Sequence, residues 1–199
     1  MSFHLLFTIG MGLLVGLRLF WHRRAGTTLD RPAVRAGLAR EGNFATLRWI
    51  IGIPSGLTIV LYLVAPNVLS WAELPLPSVY RWTGAVLFGV ALLLLVWVHG
   101  ALGRNFNTTL VVRADHELVM RGPYRYVRHP MYSAFVVLFA GMFLLSASAL
   151  LGVLGAVAMW ALVVVRTPRE EAQLAERFGA EYDRYRDRTG ALLPRLRAR

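Results

Sequence analysis

Apolar residues fall along this chain in long, nearly unbroken runs, without the polar stripe that a helix on the surface of a water-soluble domain carries. Such runs predict helices surrounded by hydrocarbon, because about 20 apolar residues are needed to cross a bilayer core of about 30 Å. Phe3 to Phe20 is the first run, Leu47 to Leu69 the second, with Pro54 expected to kink it, and Tyr80 to Leu102 the third. Residues 133–165 ("SAFVVLFAGMFLLSASALLGVLGAVAMWALVVV") form a fourth run, and as one helix its 33 residues would reach about 50 Å. That is too long for one ordinary span, so two shorter helices folding back near Ser146 to Ser148 are expected. The predicted fold class is therefore all-α: a polytopic integral membrane protein with about five transmembrane helices, the last two a helical hairpin.

Charge decides how these spans are threaded. The loop 21–46 carries Arg23, Arg24, Arg31, Arg35 and Arg40, and the positive-inside rule assigns it to the cytoplasm. Segment 70–79 then lies outside, with Glu73 and no arginine. The stretch 103–132 returns to the cytoplasm with Arg104, Arg113, Arg121, Arg125 and Arg128, and the tail from Arg166 onward holds nine arginines. Only a hairpin at 133–165 puts both basic segments on one side, giving an N-terminus outside and a C-terminus inside. Trp21, Trp49, Trp71 and Trp82 sit near the expected span ends, where indole prefers the interface. The first run lacks a small-residue cleavage site, which favours a retained helix over a signal peptide. The chain divides into residues 1–102, three helices, and 103–199, a polar loop, the hairpin and the tail.

The tail reads differently. In "TPREEAQLAERFGAEYDRYRDR", Thr167, Pro168 and Glu170 match the start of a capped helix, expected over 168–188. Leu174, Phe178, Tyr182 and Tyr185 recur at helical spacing, so this cytoplasmic amphipathic helix is expected to lie on the membrane surface or on the bundle. The pairs Gly12/Gly16 and Gly52/Gly56 have the GxxxG spacing of close helix packing.

Composition narrows the chemistry. The 199 residues are 56% hydrophobic with net charge +11, and all 22 basic residues are arginine. With the abundance of Ala, Leu, Val and Gly, this points to a GC-rich bacterial genome and hence a bacterial inner (plasma) membrane. Because the arginines flank membrane segments, lipid headgroups are the simpler partner and no nucleic acid is expected. Cysteine is absent, which excludes disulfides, thiolate nucleophiles and cysteine metal sites. There is no HExxH, and no paired histidines stand at ligand spacing, so no metal is expected. Nor is there a P-loop or a GxGxxG after a strand. His99, alone near the end of the third run, reads as a helix–helix hydrogen bond.

The densest polar chemistry lies in "RGPYRYVRHPMYSA", residues 121–134. A membrane-edge anchor accounts for Arg121 and Arg125, whose charges suit headgroups. It accounts less well for His129 and Pro130: proline at a helix start fixes the entry, and the free N–H groups beyond it favour an anion. Glu170 and Glu171 admit two readings, a helix-start pair or carboxylates that hold an ammonium or sulfonium group. Arg166, ending the last run, either snorkels or holds an anionic lipid-like substrate.

Taken together, "DHELVMRGPYRYVRHPMYSA", the hairpin and "RTPREEAQLAERFGAEYDRY" resemble the isoprenylcysteine carboxyl methyltransferase-like family of integral-membrane methyltransferases, which are related to phospholipid N-methyltransferases. The resemblance spans about residues 103–195. It implies S-adenosyl-L-methionine bound from the cytosol between the loop and the C-terminal segment. By motif position it implies that His116, Leu118 and Val119 line the cofactor, with Tyr124, His129, Pro130, Met131 and Tyr132 continuing the wall. Glu170, with Glu171 beside it, would contact the cofactor, and Arg166 would meet the substrate's carboxyl group, so Arg166 and Glu170 are the candidate catalytic pair. Arg113 aligns with a shift of a couple of residues. The implied substrate is lipophilic, isoprenoid or prenylated. A membrane sterol or lipid reductase using NADPH shares an RHPxY-like element and is the alternative; a non-catalytic membrane assembly protein is a third reading. The acceptor and the oligomeric state are not specified by these motifs.

Overall fold

The structure is a computed structural model that describes residues 2–24, 43–103 and 118–195. Arg113 and His116 lie outside the described residues, as do Arg31, Arg35, Arg40 and Arg104. Four long helices dominate: α1 (Phe3–Arg24), α2 (Asn43–Val64), α3 (Ser78–Leu102) and a fourth that begins as α5 (Ala149–Trp160). Each is long and apolar enough to cross a membrane, and α4 (Pro130–Ser146) is a shorter apolar helix of 17 residues. α2 runs through Pro54 and stops at Val64, earlier than expected, because Pro66 opens a 3-10 turn, Pro66–Ala72.

Hydrophobic side chains face outward along these helices, as the solvent they expect is hydrocarbon. Ile50, Ile53, Leu57 and Val60 on α2 are all more than half exposed, as is Leu93 on α3. The tight interior lies where α3 crosses α4. Glycine makes that crossing close: a Cβ on Gly141 would stand 2.7 Å from the Phe88 backbone nitrogen, and one on Gly84 would run into the backbone at Leu144 and Leu145. Gly12, Gly16, Gly52 and Gly56 have nothing within 4 Å of such a Cβ. The GxxxG expectation is therefore corrected: those glycines look outward, and the close packing is carried by glycines on other helices.

The hairpin turns where expected, at Ser146 to Ser148. Ala147 takes a left-handed conformation (φ 54°) and Ser148 caps α5 by accepting from the Leu151 amide. The carbonyls left free at the end of α4 are collected by other elements. Arg81 Nε donates to Leu145 O at 3.2 Å, Tyr62 OH to Ser146 O at 3.3 Å and the Leu74 amide to Ala147 O at 2.7 Å. Arg81 also lies over the Phe3 ring, 4.4 Å from its centroid. The start of α1, the 66–77 connection and the hairpin turn thus share one end of the bundle. The arginine-rich ends share the other.

The tail departs from expectation. No cap separates it from the hairpin: α5 passes through a π-helical stretch, Ala161–Arg166, into α6 (Thr167–Phe178) without a break. Thr167 is not an N-cap; its amide and its Oγ1 (2.9 Å) both donate to Leu162 O, five residues back. The wide π turn gives a physical reason. Pro168 has no N–H to give, and its ring would press on a carbonyl in a regular helix, so the turn before it opens. The helix ends instead at Gly179 (φ +50°), and α7 (Ala180–Arg188) departs in a new direction.

Candidate active site

The site is built where α4 begins, at the arginine-rich end. Gly122 (φ +60°) turns the chain into a 3-10 turn, Gly122–Arg125, and His129 caps α4 with Pro130 at its first position. The backbone there is zipped to the tail. Arg128 N donates to Gly190 O at 2.8 Å, His129 N to Ala191 O at 3.0 Å and Ser133 Oγ to Leu192 O at 2.6 Å. The expected anion pocket at this helix start is largely closed, because the amides of Tyr132 and Ser133 already bond to His129 O.

Arg128 is the hub of the loop. Its Nε donates to Glu171 Oε1 at 2.9 Å, Nη2 lies 2.9 Å from the same oxygen, and Nη1 donates to the carbonyls of Arg186 and Thr189. The same Glu171 oxygen lies 3.0 Å from His129 Nε2. These contacts depress the Glu171 carboxyl below its ordinary value, the His129 bond first and, against the opposing effect of burial, Arg128. His129 in turn stacks on Tyr132, with rings 5.3 Å apart and 6° from parallel.

A second cluster is formed one turn along. Tyr132 OH donates to Glu170 Oε2 at 2.6 Å, and Arg166 Nε lies 4.0 Å from that oxygen. Arg166, Glu170 and Tyr132 therefore converge at the border between the apolar hairpin and its polar end. Tyr124 is held from behind, its carbonyl accepting from Tyr185 OH at 2.6 Å. Burial, with Glu170 nearby, keeps the Tyr124 phenol well above its ordinary value. Leu118, Val119 and Met131 are half-buried, and Pro130 is buried.

Tyr182 adds a feature that the motifs did not single out for the site. It is fully buried, and its hydroxyl has no hydrogen-bond partner among the described residues. Burial first, then Glu171, pushes its pKa up to about 12, so the hydroxyl keeps its proton. Arg128, Tyr182 and residues 189–192 were not among the expected site residues. Arginine in a basic loop gives no sign of being paired inward, and 189–192 lacks any motif.

Residues 82–176 match the family model of the isoprenylcysteine carboxyl methyltransferase (ICMT) family. That segment holds most of α3, the loop, the hairpin and both glutamates. Residues 82–176 are ICMT-like. Among relatives, protein-S-isoprenylcysteine O-methyltransferase B of Arabidopsis thaliana is 32% identical over 94 residues, 46% of this chain and 48% of that protein. The Rattus norvegicus protein-S-isoprenylcysteine O-methyltransferase is 30% identical over 141 residues, 63% of this chain and 48% of that protein. The chain spans about half the length of these curated relatives. A solved structure of a eukaryotic intramembrane Ras methyltransferase, ICMT, aligns over 84% of this chain and 54% of its own, with TM-score 0.50 and 21% identity. Its likeness is one of fold. The ICMT-like segment ends at Glu176, so Tyr182, Tyr185 and 189–192, which close the site here, lie beyond it.

Proposed function

We propose that this protein is an S-adenosylmethionine-dependent membrane methyltransferase that esterifies the carboxylate of an isoprenoid or similar lipophilic acid. The observation that carries this reading is the convergence of Arg166, Glu170 and Tyr132 at the edge of an apolar bundle, inside the ICMT-like segment. The donor set suits the cofactor: a carboxylate for a cationic or hydroxyl-bearing group, and a buried Tyr182 hydroxyl lacking a partner among the described residues. When bound, S-adenosylmethionine supplies an electrophilic methyl group.

The chain's own residues then have two tasks. Arg166 holds the substrate carboxylate with its planar guanidinium, and Glu170, kept in place by Tyr132, holds the cofactor at a fixed distance from it. A carboxylate is already ionised at neutral pH, so no proton has to be removed. Leu118, Val119, Tyr124, His129, Pro130, Met131 and Tyr132 form the cofactor wall in this reading, and the shared oxygen of Glu171 braces that wall through Arg128 and His129. His116 and Arg113 would complete it from the region outside the described residues. The basic end faces the cytoplasm, and the arginine-only composition supports a bacterial plasma membrane, although the relatives named above are eukaryotic.

The test is titration of detergent-purified protein with S-adenosylmethionine and with NADPH, followed by transfer of labelled methyl to an isoprenoid carboxylate. Binding of S-adenosylmethionine with ester formation, lost in Arg166→Gln, is the expected result. Binding of NADPH alone would sink the proposal and favour the reductase reading.

A further inference from the structure

A recess lies between the loop and α7, and its lining includes none of Arg166, Glu170, Glu171, His129 or Tyr132. It has a volume of about 640 Å³ and is lined by Arg125, Arg184, Arg188 and Arg195, with Glu181 and Tyr126 among its other walls. We propose that this cleft binds the phosphate headgroup of an anionic phospholipid from the surrounding leaflet. The proposal does not depend on the methyltransferase reading.

Charge is the first argument. Four arginines and one glutamate line the cleft. The acid of α7 that is paired lies elsewhere: Asp183 meets Arg186 at 2.9 Å. Arg184 and Arg188 are four residues apart, so they share a helical face, and among the described residues neither has a carboxylate partner. Arg125 lies over the Tyr126 ring, 5.2 Å from its centroid, and an Arg195 nitrogen donates to the Asp187 carbonyl. A cluster of like charges held this closely suits a multivalent oxyanion, which each planar guanidinium can meet with two donors.

Position is the second argument, and it distinguishes a lipid from a free anion. The Tyr126 ring stands 6.3 Å from Trp97 of α3. Trp97 is five residues from the end of that helix, hence about 7.5 Å in from it, at the depth where indole belongs. Tyr126 and Trp97 are both about half exposed, and Leu93 beyond them is 71% exposed. The cleft thus continues from arginines, over two aromatic rings, onto a bare apolar strip. A soluble phosphate would use only the arginines. A phospholipid would use the whole path, with its headgroup in the cleft and its acyl chains along α3.

Full-length protein in neutral detergent would be tested by native mass spectrometry with phosphatidylglycerol, phosphatidylcholine and inorganic phosphate as separate arms. Phosphatidylglycerol should stay bound under conditions that strip phosphatidylcholine. The double variant Arg184→Gln/Arg188→Gln should weaken its binding roughly 10- to 30-fold, from the usual contribution of two basic residues at an anionic surface. Arg184→Lys/Arg188→Lys should recover only part of it, because the charge remains while the paired donors of each guanidinium are lost. Equal retention of both lipids, an unchanged glutamine variant, or equal loss in the lysine variant would each overturn the proposal. Displacement of phosphatidylglycerol by millimolar phosphate would overturn it in favour of a soluble-anion site.

Discussion

At the scale of single residues, the two adjacent glutamates are separated by their partners. Glu170 takes one hydrogen bond from Tyr132 and looks toward Arg166, while Glu171 has one oxygen shared by Arg128 and His129. Replacing Glu170 with glutamine keeps the size and an acceptor for Tyr132 but removes the charge. Calorimetric titration of Glu170→Gln should therefore show S-adenosylmethionine binding about 10- to 100-fold weaker, the range for losing one charge-assisted hydrogen bond. Its melting temperature should stay close to that of the parent. Glu171→Gln should behave in the opposite way, because its carboxylate holds the loop together. The folded state depresses the Glu171 carboxyl, so its stabilisation is present in full above the ordinary carboxylate value of about 4.3 and drains as pH falls through the lower folded value. The parent should melt higher than Glu171→Gln at pH 7, and the gap should begin to narrow below about pH 4 and close beneath the lower folded value. A gap that stays constant with pH would count against the clamp.

At the scale of elements, the long apolar runs were legible because a lipid solvent imposes one requirement on every face of a helix, and the hairpin was legible because residues 133–165 are too long for one span and only a hairpin puts both basic segments on one side. The contacts between the helices were not legible. GxxxG spacing states that two small residues share a face, but it cannot say whether that face meets a helix or lipid, and here Gly12 and Gly52 face outward while Gly141 of α4 packs against the backbone of α3. Gly141→Ala forces a methyl against the Phe88 backbone, which cannot yield like a side chain, so a loss of about 1–3 kcal/mol is expected. Thermal unfolding in detergent would register it, whereas Gly52→Ala, with open space around it, should leave the melting temperature unchanged or raise it slightly. The continuous helix through Arg166 was hidden for another reason. Thr167, Pro168 and Glu170 have the spacing of a helix start, and a π turn that accommodates proline leaves no sequence signature of its own. Without a break, one continuous helical run carries both Arg166 and Glu170 to the candidate site.

At the scale of the whole molecule, the bundle is tied at both ends by elements distant in sequence, and the two ties do different things. At the hairpin end, Arg81 and Tyr62 collect the last carbonyls of α4. At the arginine-rich end, the backbone of 189–192 pairs with 127–129, and Tyr185 holds Tyr124. Much of the candidate wall could be read from the RHPMY and REE motifs, since they carry its side chains. The tail's part could not, because it acts through backbone carbonyls that any residue supplies. Gly190 is the exception: a Cβ there would run into the Leu193 carbonyl oxygen, so the turn that presents those carbonyls requires glycine. The two ties should fail separately. Arg81→Ala leaves the Leu145 carbonyl without its donor at the bundle's end and should lower thermal stability by about 1–3 kcal/mol, with cofactor affinity retained in the protein that remains folded. Truncation after Arg188 removes the carbonyls that bind Arg128, His129 and Ser133 but touches no membrane helix. That variant should insert, stay monodisperse in detergent and keep its helical circular dichroism, yet lose S-adenosylmethionine binding. If instead the truncated protein binds the cofactor as well as the parent does, the loop holds its shape unaided and the tail is not part of the site.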